Sequence, residues 1–535
     1  MEDQTLQAKR VIKIYDKLMA KRKNWETYWE FAAQYVLPNR SDFITRRASG
    51  DMTRTNQIFD ATATRAARLL ATSIQGAIFT DRWFSLKMRN DTSQSDALNG
   101  WLEQVEAIML AAFEESNFQV QIGQALMSMV VFGTSGLTVE GKSDDGTFQG
   151  LTFRDHELRS FVFDEDADGI PNRIYRKIVM SPESAILRYR KDEEVPASFI
   201  KYCEDLIKQN SENEIELVEA IEPAALLGDD TDTGFSSILV HRMTNTVIKE
   251  QAYEDLDFMV SRWDKITGDM YGWSPTLGAL PDIITINEAK RLELGAWEKN
   301  ILPPKQIVVG SMFSDEIDRS PNGITMVNRP DAITNIDEPY DFRVTIMKGD
   351  EIKEAIKYAF HEQELILPDR NHDTATEVSI RYDLMQRLLG ATFGRIKSEM
   401  LQKLIASVFR IMQDQGAFPP PPEITGSGNL DVEYQSPLAK SQRASETQAV
   451  ERLVSFAMQL AQINPELAMA IDFYEALNIY SQGLGARALI LKDKETFDKA
   501  VQEMQKAQQE ALQQERQHEQ QLKGEPQNAA TEEQL

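Results

Sequence analysis

The spacing of apolar residues changes abruptly near Thr134. Before it, hydrophobic positions recur every three or four residues in LQAKRVIKIYDKLMAKRKNWETYWEFAAQYVLP, IFDATATRAARLLATSIQGAIF, ALNGWLEQVEAIMLAAFEESNF and FQVQIGQALMSMVVFG. That is the period of amphipathic helices. From Thr134 to about Val260 the pattern becomes short β-type runs broken by turns: GLTVEG, GTFQGLTFRD, RSFVFDEDADGIPNRIYRKIVM and SSILVHRMTNTVIKE. One helical stretch, SPESAILRYRKDEEVPASFIKYCEDLIKQN, interrupts them. A chain that switches period this way is confined to an α+β fold, mainly helical, with its helices gathered toward the N-terminus. The first helix is expected over residues 5 to 37, stopped by Pro38, with Trp25, Tyr28, Trp29 and Phe31 as core contacts. Asp60 is a candidate cap for the second.

After Tyr271 the helical period returns in GWSPTLGALPDIITINEAKRLELGAWEKNILPP, read as a long helix starting near Pro281 and stopped by Pro303 and Pro304. Residues 303 to 348 form a compact polar insert containing KQIVVG and GITMVN, and a helix resumes at KGDEIKEAIKYAFHEQE. Two helices thus flank a small module. The loop LILPDRNHD then leads into about 42 residues of helical pattern, roughly 63 Å if straight. Gly390 and Gly394 fall inside it, where each costs about 1 kcal/mol relative to alanine, and mark the expected kink. FPPPPEITGSG is a boundary, 437 to 495 reads as short helices, and 496 to 535 is a Gln- and Glu-rich helix fading into a polar tail.

Charge narrows the function. The net charge of −26 would repel nucleic acid on average, which is a liability for a DNA clamp but suits a surface past which DNA slides. Cys203 is the only cysteine, so internal disulfides and Cys-rich metal sites are excluded and a reducing compartment is expected. The histidines His156, His241, His361, His372 and His518 are scattered. No apolar run approaches the roughly 18 residues of a membrane span, so a soluble protein without membrane partners is expected.

Three motifs compete for chemistry. GLTVEGKS, Gly136 to Ser143, fits the phosphate-binding pattern G-x-x-x-x-G-K-[ST]. Its interior, Leu137 to Glu140, favours a strand, and Asp144, Asp145 and Gly146 follow where a helix N-terminus is required. A β-hairpin is therefore expected. DEDADG, Asp164 to Gly169, resembles the start of a calcium loop, but Tyr175 stands where the bidentate glutamate is needed, so this too reads as a hairpin turn. In PDRNHDTATEVSIR, Thr374 and Glu377 form a capping box and Asp373 favours the positive helix end, leaving Arg370, Asn371 and His372 on a loop as contact candidates. No catalytic constellation, metal set or cofactor site emerges, and the chain is expected to be no enzyme.

The segments YVLPNRSDF, IFDATATRAARLLATSIQGAIFTDRWFSLK, VVFGTSGLTVE, GDMYGWSPTLGALPDIITINEAK, ILPPKQIVVG and LPDRNHDTATEVSIR, in this order, resemble portal proteins, the head-to-tail connectors of T7-like short-tailed phages. The resemblance implies a ring, usually of twelve subunits, around a DNA channel. Residues 1–275 would be the wing, 276–302 and 349–362 the stem helices, and 303–348 the clip between them. Residues 363–430 would hold the tunnel loop and the long kinked helix, 431–495 the crown, and 496–535 the tail. Arg370, Asn371 and His372 would face DNA, while Lys299, Pro303, Pro304 and Lys305 would lead into the surface shown to the terminase large subunit and then to the tail adaptor. Implied partners are further copies of the chain, scaffolding protein, major capsid protein, internal core proteins and double-stranded DNA passed without sequence preference. The implied location is the virion's portal vertex, reached from the host cytoplasm during assembly. The tail departs from portals with a long C-terminal barrel, being short and polar. Two rival readings are an ATP-driven packaging motor using Gly136 to Ser143, and a scaffolding or adaptor protein.

Overall fold

A computed structural model describes residues 2–40, 43–44, 50–79, 82–88, 96–144, 147–190, 192, 194–209, 214–226, 234–301, 305–307, 333–335, 342–365, 390–421, 430–434, 450–459, 476–477, 480 and 506. The chain divides into two compact units, Met1–Trp83 with Ile108–Phe418, and Phe84–Ala107 with Pro419–Leu535. The division at Phe418 falls inside the segment FPPPPEITGSG.

Four helices and one strand come first: α1 (Glu2–Tyr35), α2 (Thr62–Ile78), β1 (Phe84–Met88), α3 (Asp96–Glu115) and α4 (Phe118–Phe132). The change of period at Thr134 is a change of structure. β2 (Thr134–Asp144) turns back into β3 (Thr147–His156) and pairs on its other side with β9 (Phe258–Arg262). Between them lies a five-stranded antiparallel sheet made of β4 (Phe161–Glu165), β5 (Pro171–Met180), β6 (Ile215–Pro223), β7 (Phe235–His241) and β8 (Thr246–Tyr253), in that spatial order. The helical interruption is two helices, α5 (Pro182–Tyr189) and α6 (Ala197–Lys208).

Side chains of a strand alternate between faces, so a sheet covered on both sides needs apolar residues at odd and even positions alike. Val218 and Ala220 of β6, Ile238 and Val240 of β7 and Val247 of β8 pack with Ala8, Val11, Tyr15 and Leu18 of α1. Ile215, Leu217, Leu239 and Ile248 point the other way and pack with Ala185, Tyr189, Phe199 and Cys203 of α5 and α6. Each buried leucine or valine contributes roughly 1.5–3 kcal/mol, which is how α1 stays fixed along its length. Polar links add register: buried Arg22 donates to the carbonyls of Leu158 and Phe161 at 3.0 and 2.8 Å, and Arg10 reaches the fully buried Glu222 at 2.8 Å. Strand β6 was not among the runs that stand out in the sequence. Its glutamates interrupt the apolar signal, and they are paired only in the folded sheet.

The remaining elements are α7 (Pro275–Ile301), β10 (Lys305–Ile307), β11 (Ile333–Asn335), α8 (Phe342–Ala359) and a short α9 (Glu362–Leu365). A helix described from residue 390 then passes through a π-turn at Lys397–Leu401 into α10 (Gln402–Asp414). In the second unit β1 pairs antiparallel with β12 (Leu430–Tyr434), Phe84 opposite Tyr434, and Trp101 donates to the Pro419 carbonyl at 2.9 Å.

Three expectations are corrected. Tyr28 and Phe31 are 52% and 40% exposed, while Trp29 is fully buried, because α1 turns only one face to the sheet and Tyr28 and Phe31 lie on the other. The long helix starts at Pro275, not near Pro281. Pro281 is its seventh residue, beyond the four orphan donors of the first turn, so the helix lacks one i→i−4 bond there. The segment RWFSLK, read without a strand, supplies β1. GITMVN and the loop LILPDRNHD beyond Leu365 lie outside the described residues.

Candidate functional site: the joint that carries the α7–α8 helix pair

The last carbonyls of a helix have no partner within it. At the end of α4 they are met by three different segments. The Val130 carbonyl accepts from Thr276 Oγ1 at 2.9 Å, Val131 from Ser274 Oγ at 2.9 Å, Phe132 from Trp29 Nε1 at 3.0 Å and Gly133 from the Trp263 N–H at 2.9 Å. Ser274 also accepts from the Leu277 N–H at 3.0 Å and so caps α7. The end of α4 therefore fixes where α7 begins.

This closeness requires two glycines. Gly133 has φ +82°, and a Cβ there would lie 2.0 Å from the Gly272 oxygen; a Cβ on Gly272 would lie 2.2 Å from the Gly133 oxygen. Around the crossing stand Trp25, Trp29, Tyr271 and Trp273, with Trp29 edge-on to Tyr271 at 4.9 Å and Trp25 4.9 Å from Trp273. Burial raises the Tyr271 hydroxyl above its ordinary pKa, so it stays neutral.

Farther along α7, Asn287 binds the loop before α2. Its Oδ1 accepts from the N–H groups of Phe59 and Asp60 at 2.7 and 3.3 Å, and its Nδ2 donates to the Gln57 carbonyl at 3.1 Å. Asp60 in turn accepts from the Thr62 N–H at 2.9 Å, although the N-cap position expected of it falls to Ala61, and pairs with Lys353 of α8 at 3.5 Å. Both helices of the pair are thus anchored to the same corner.

A second anchor is a buried cation. The Arg262 side chain, 1% exposed, donates to Glu399 from Nε at 3.1 Å and from Nη2 at 2.5 Å, to Glu165, and to the carbonyls of Gly169 and Met270. Its own backbone N–H also binds Glu399, at 2.9 Å. Lys265 completes the set on Glu165 and the Gly169 carbonyl. Glu399 is the middle residue of the π-turn, which adds a residue to the helical turn and is a geometry concentrated at functional positions. One turn earlier, Arg395 binds the Trp263 carbonyl and Asp264 at 3.2 and 3.1 Å. The helix that follows residue 390 is therefore locked to the end of β9.

Each motif read from the sequence now has a place. Gly136 to Ser143 is part of strand β2, paired with β3 across the bulge at Lys142 and Ser143, so no phosphate loop exists there. In DEDADG, Asp166 accepts from the N–H groups of Asp168 and Ile170, Asp164 pairs with Arg173, and Glu165 serves Arg262, so three of its four carboxylates are engaged within the chain. Among the described residues no group of His, Cys, Asp and Glu is placed to hold a metal ion. Lys299 is exposed in the last turn of α7, and Lys305 opens β10, which pairs antiparallel with β11. Pro303, Pro304, Arg370, Asn371, His372, Asp373, Thr374 and Glu377 lie outside the described residues. Gly390 and Gly394 lie in the described helix with open space where a Cβ would sit, and the irregular turn follows at 397–401. Sequence reasoning did not single out Arg262, Glu399 or Asn287, whose buried partners lie far away in the chain. Gly133 and Gly272 were present in the quoted segments VVFGTSGLTVE and GDMYGWSPTLG, without a role.

Comparison with known proteins agrees with this architecture. Residues 8–491 match the model of the bacteriophage head to tail connecting protein family. The chain is similar to the probable portal protein of Bordetella phage BPP-1, 26% identical over 91% of this chain and 88% of that protein. It is also similar to the portal proteins of Salmonella phage epsilon15 (21% identical; 91% and 89% covered) and of Enterobacteria phage T3, a T7-like phage (20%; 90% and 88%). The match runs through the sheet, the joint and the helix pair alike, and the chain belongs to the family of bacteriophage head-to-tail connecting proteins.

Proposed function

We propose that the chain is a portal subunit that assembles into a ring of about twelve copies at one capsid vertex of the virion, forming the conduit through which DNA is packaged and ejected. The observation that carries the ring is the far end of the helix pair. Leu292, Leu294, Trp297 and Ile301 on α7, with Met347 on α8, are large apolar side chains exposed on a single chain, and Ile301 is 77% exposed. Exposed apolar surface on a helix pair fits lateral packing against further copies. The five-stranded sheet, buried on both faces, suits a rigid ring component better than a loosely packed scaffold.

In this reading the loop LILPDRNHD is the tunnel loop, Arg370 gives a brief grip on phosphate without reading bases, and Lys299 to Lys305 lead toward the clip. That clip would dock the terminase large subunit during packaging and the tail adaptor afterward. Scaffolding, capsid and internal core proteins would meet the ring's other faces. ATP hydrolysis would belong to the motor, since Gly136 to Ser143 is a strand of a hairpin in this chain. The protein would pass through the host cytoplasm before entering the capsid.

End-on electron micrographs of the purified chain test the reading. Rings with a central hole of about 20 Å or more, the width of a duplex, support it. Uniform monomers overturn it. The double variant Leu292→Asp/Ile301→Asp should abolish rings while leaving the subunit's stability within about 0.5 kcal/mol, because both side chains are exposed in the single chain.

A further inference from the structure

Helix α1 turns one face to the sheet and leaves the other uncovered. On that outer face stand Lys9, Lys13, Lys17 and Lys21, all exposed and spaced four residues apart. Four-residue spacing brings side chains to the same side of a helix, and the row extends about 18 Å. Among the described residues none of the four lysines has an ion-pair partner. The acidic residues nearest along the helix are engaged elsewhere: Asp16 pairs with Arg242 at 2.9 Å, and Glu26 with Arg22 at 2.8 Å. Like charges at this spacing disfavour the helix that carries them. A solvated face ordinarily mixes signs, and this chain has 84 acidic residues against 58 basic ones to mix with.

The same face continues past the lysines into exposed Asn24, Tyr28 and Phe31, and begins with Leu6, which is 66% exposed. Ala20 leaves a low point in the middle. The whole is a cationic row, winding gently round the helix, with apolar contacts at both ends.

We propose that this face of α1 docks an acidic amphipathic helix of a partner protein, with carboxylates of the partner at four-residue spacing meeting the lysine row and its apolar residues covering Leu6, Tyr28 and Phe31. A helix repeats its side chains at the same 6.0 Å interval as the row, so all four charges can be matched at once. A DNA duplex matches the charge but not the rest. Its stacked bases offer exposed aromatic side chains no partner, and the chain's net negative charge opposes its approach. The partner meets the face of α1 turned away from the sheet, and the inference does not depend on ring formation.

The test uses the full chain and a fluorescent synthetic helix with glutamate at four successive i,i+4 positions and leucine at both ends. A second peptide has the same composition with its glutamates clustered. Anisotropy should show the patterned peptide binding at least tenfold more tightly than the clustered one, with affinity falling as salt rises. The variant Lys13→Glu/Lys17→Glu should lose at least tenfold and regain binding toward a peptide with lysine in place of its two central glutamates. Both substitutions keep strong helix formers on an exposed face, and Lys13→Gln/Lys17→Gln, expected to show an intermediate loss, checks that the fold is not the cause. Equal affinity for the two peptides, no binding of the patterned one, or no effect of either variant overturns the proposal. Preferential binding of a 20-base-pair duplex overturns it in favour of nucleic acid. A change in subunit number caused by charge reversal, without peptide binding, assigns the face to a second copy of the chain and overturns it as well.

Discussion

The two ends of α7 differ in what completes them. Along its first half, Ser274, Thr276 and Asn287 satisfy carbonyls and N–H groups of α4 and of the loop before α2, and each of these partners belongs to the same chain. At its far end, Leu292, Leu294 and Ile301 are exposed. A buried polar group left without a partner costs about 1–3 kcal/mol, so the first end must be finished within the subunit. An exposed apolar side chain carries no such penalty and can wait for a neighbour. One helix thus carries both an intramolecular and an intermolecular half.

Breaking the first half should have the largest effect. Arg262→Met leaves Glu399 without its cation in a mostly buried place, and should destabilise the subunit by about 3–5 kcal/mol, measured as a lower midpoint in urea. Restoration by Glu399→Gln in the same chain would show that the charge, rather than the packing, is responsible. Gly133→Ala should cost more than about 2 kcal/mol, combining a left-handed backbone with a Cβ placed against the Gly272 carbonyl. A cost near zero would mean that the α4–α7 crossing is looser than its hydrogen bonds indicate.

A third experiment separates the buried region from the exposed helix end by pH. His156 lies 7% exposed between Thr138 and Phe258, and burial, reinforced by Arg176 and Arg154, lowers its pKa from 6.5 to about 3. The unfolded chain takes up this proton first. Stability is therefore fully present above about pH 6.5 and declines as pH falls toward 3, by at most about 1.4 kcal/mol per pH unit from this group. Thermal melts of His156→Gln should be flatter across that window than those of the parent chain, and identical slopes would remove His156 as the cause. The smallest effect belongs to the far end. Gly295 has nothing within 4 Å of a would-be Cβ, so Gly295→Ala should stabilise the lone subunit by about 0.5–1 kcal/mol. If the same change weakens rings, the far end is packed closely in the assembly, which sharpens the contrast with the first half.

Much of this was legible in the sequence. GLTVEGKS was readable as a strand because Leu137, Thr138 and Val139 favour β structure and acidic residues follow, and β2 is that strand. DEDADG was readable as a turn for the same kind of local reason. Tyr28 and Phe31 were not readable as exposed, since helical spacing shows which residues share a face but not which side the rest of the chain covers. RWFSLK gave no strand signal, because its partner, β12, lies more than 300 residues away.

The sequence by itself determined the class, the order of most helices and strands, and the false nature of the phosphate-loop pattern, because periodicity and turn chemistry act over a few residues. Only the tertiary structure decided that Gly133 must meet Gly272, that Asn287 closes the loop before α2, and that Arg262 holds Glu399, 137 residues away in the chain. Such pairings have no local signature. They exist because buried donors, acceptors and charges must each find a partner, and only the folded chain brings those partners within reach.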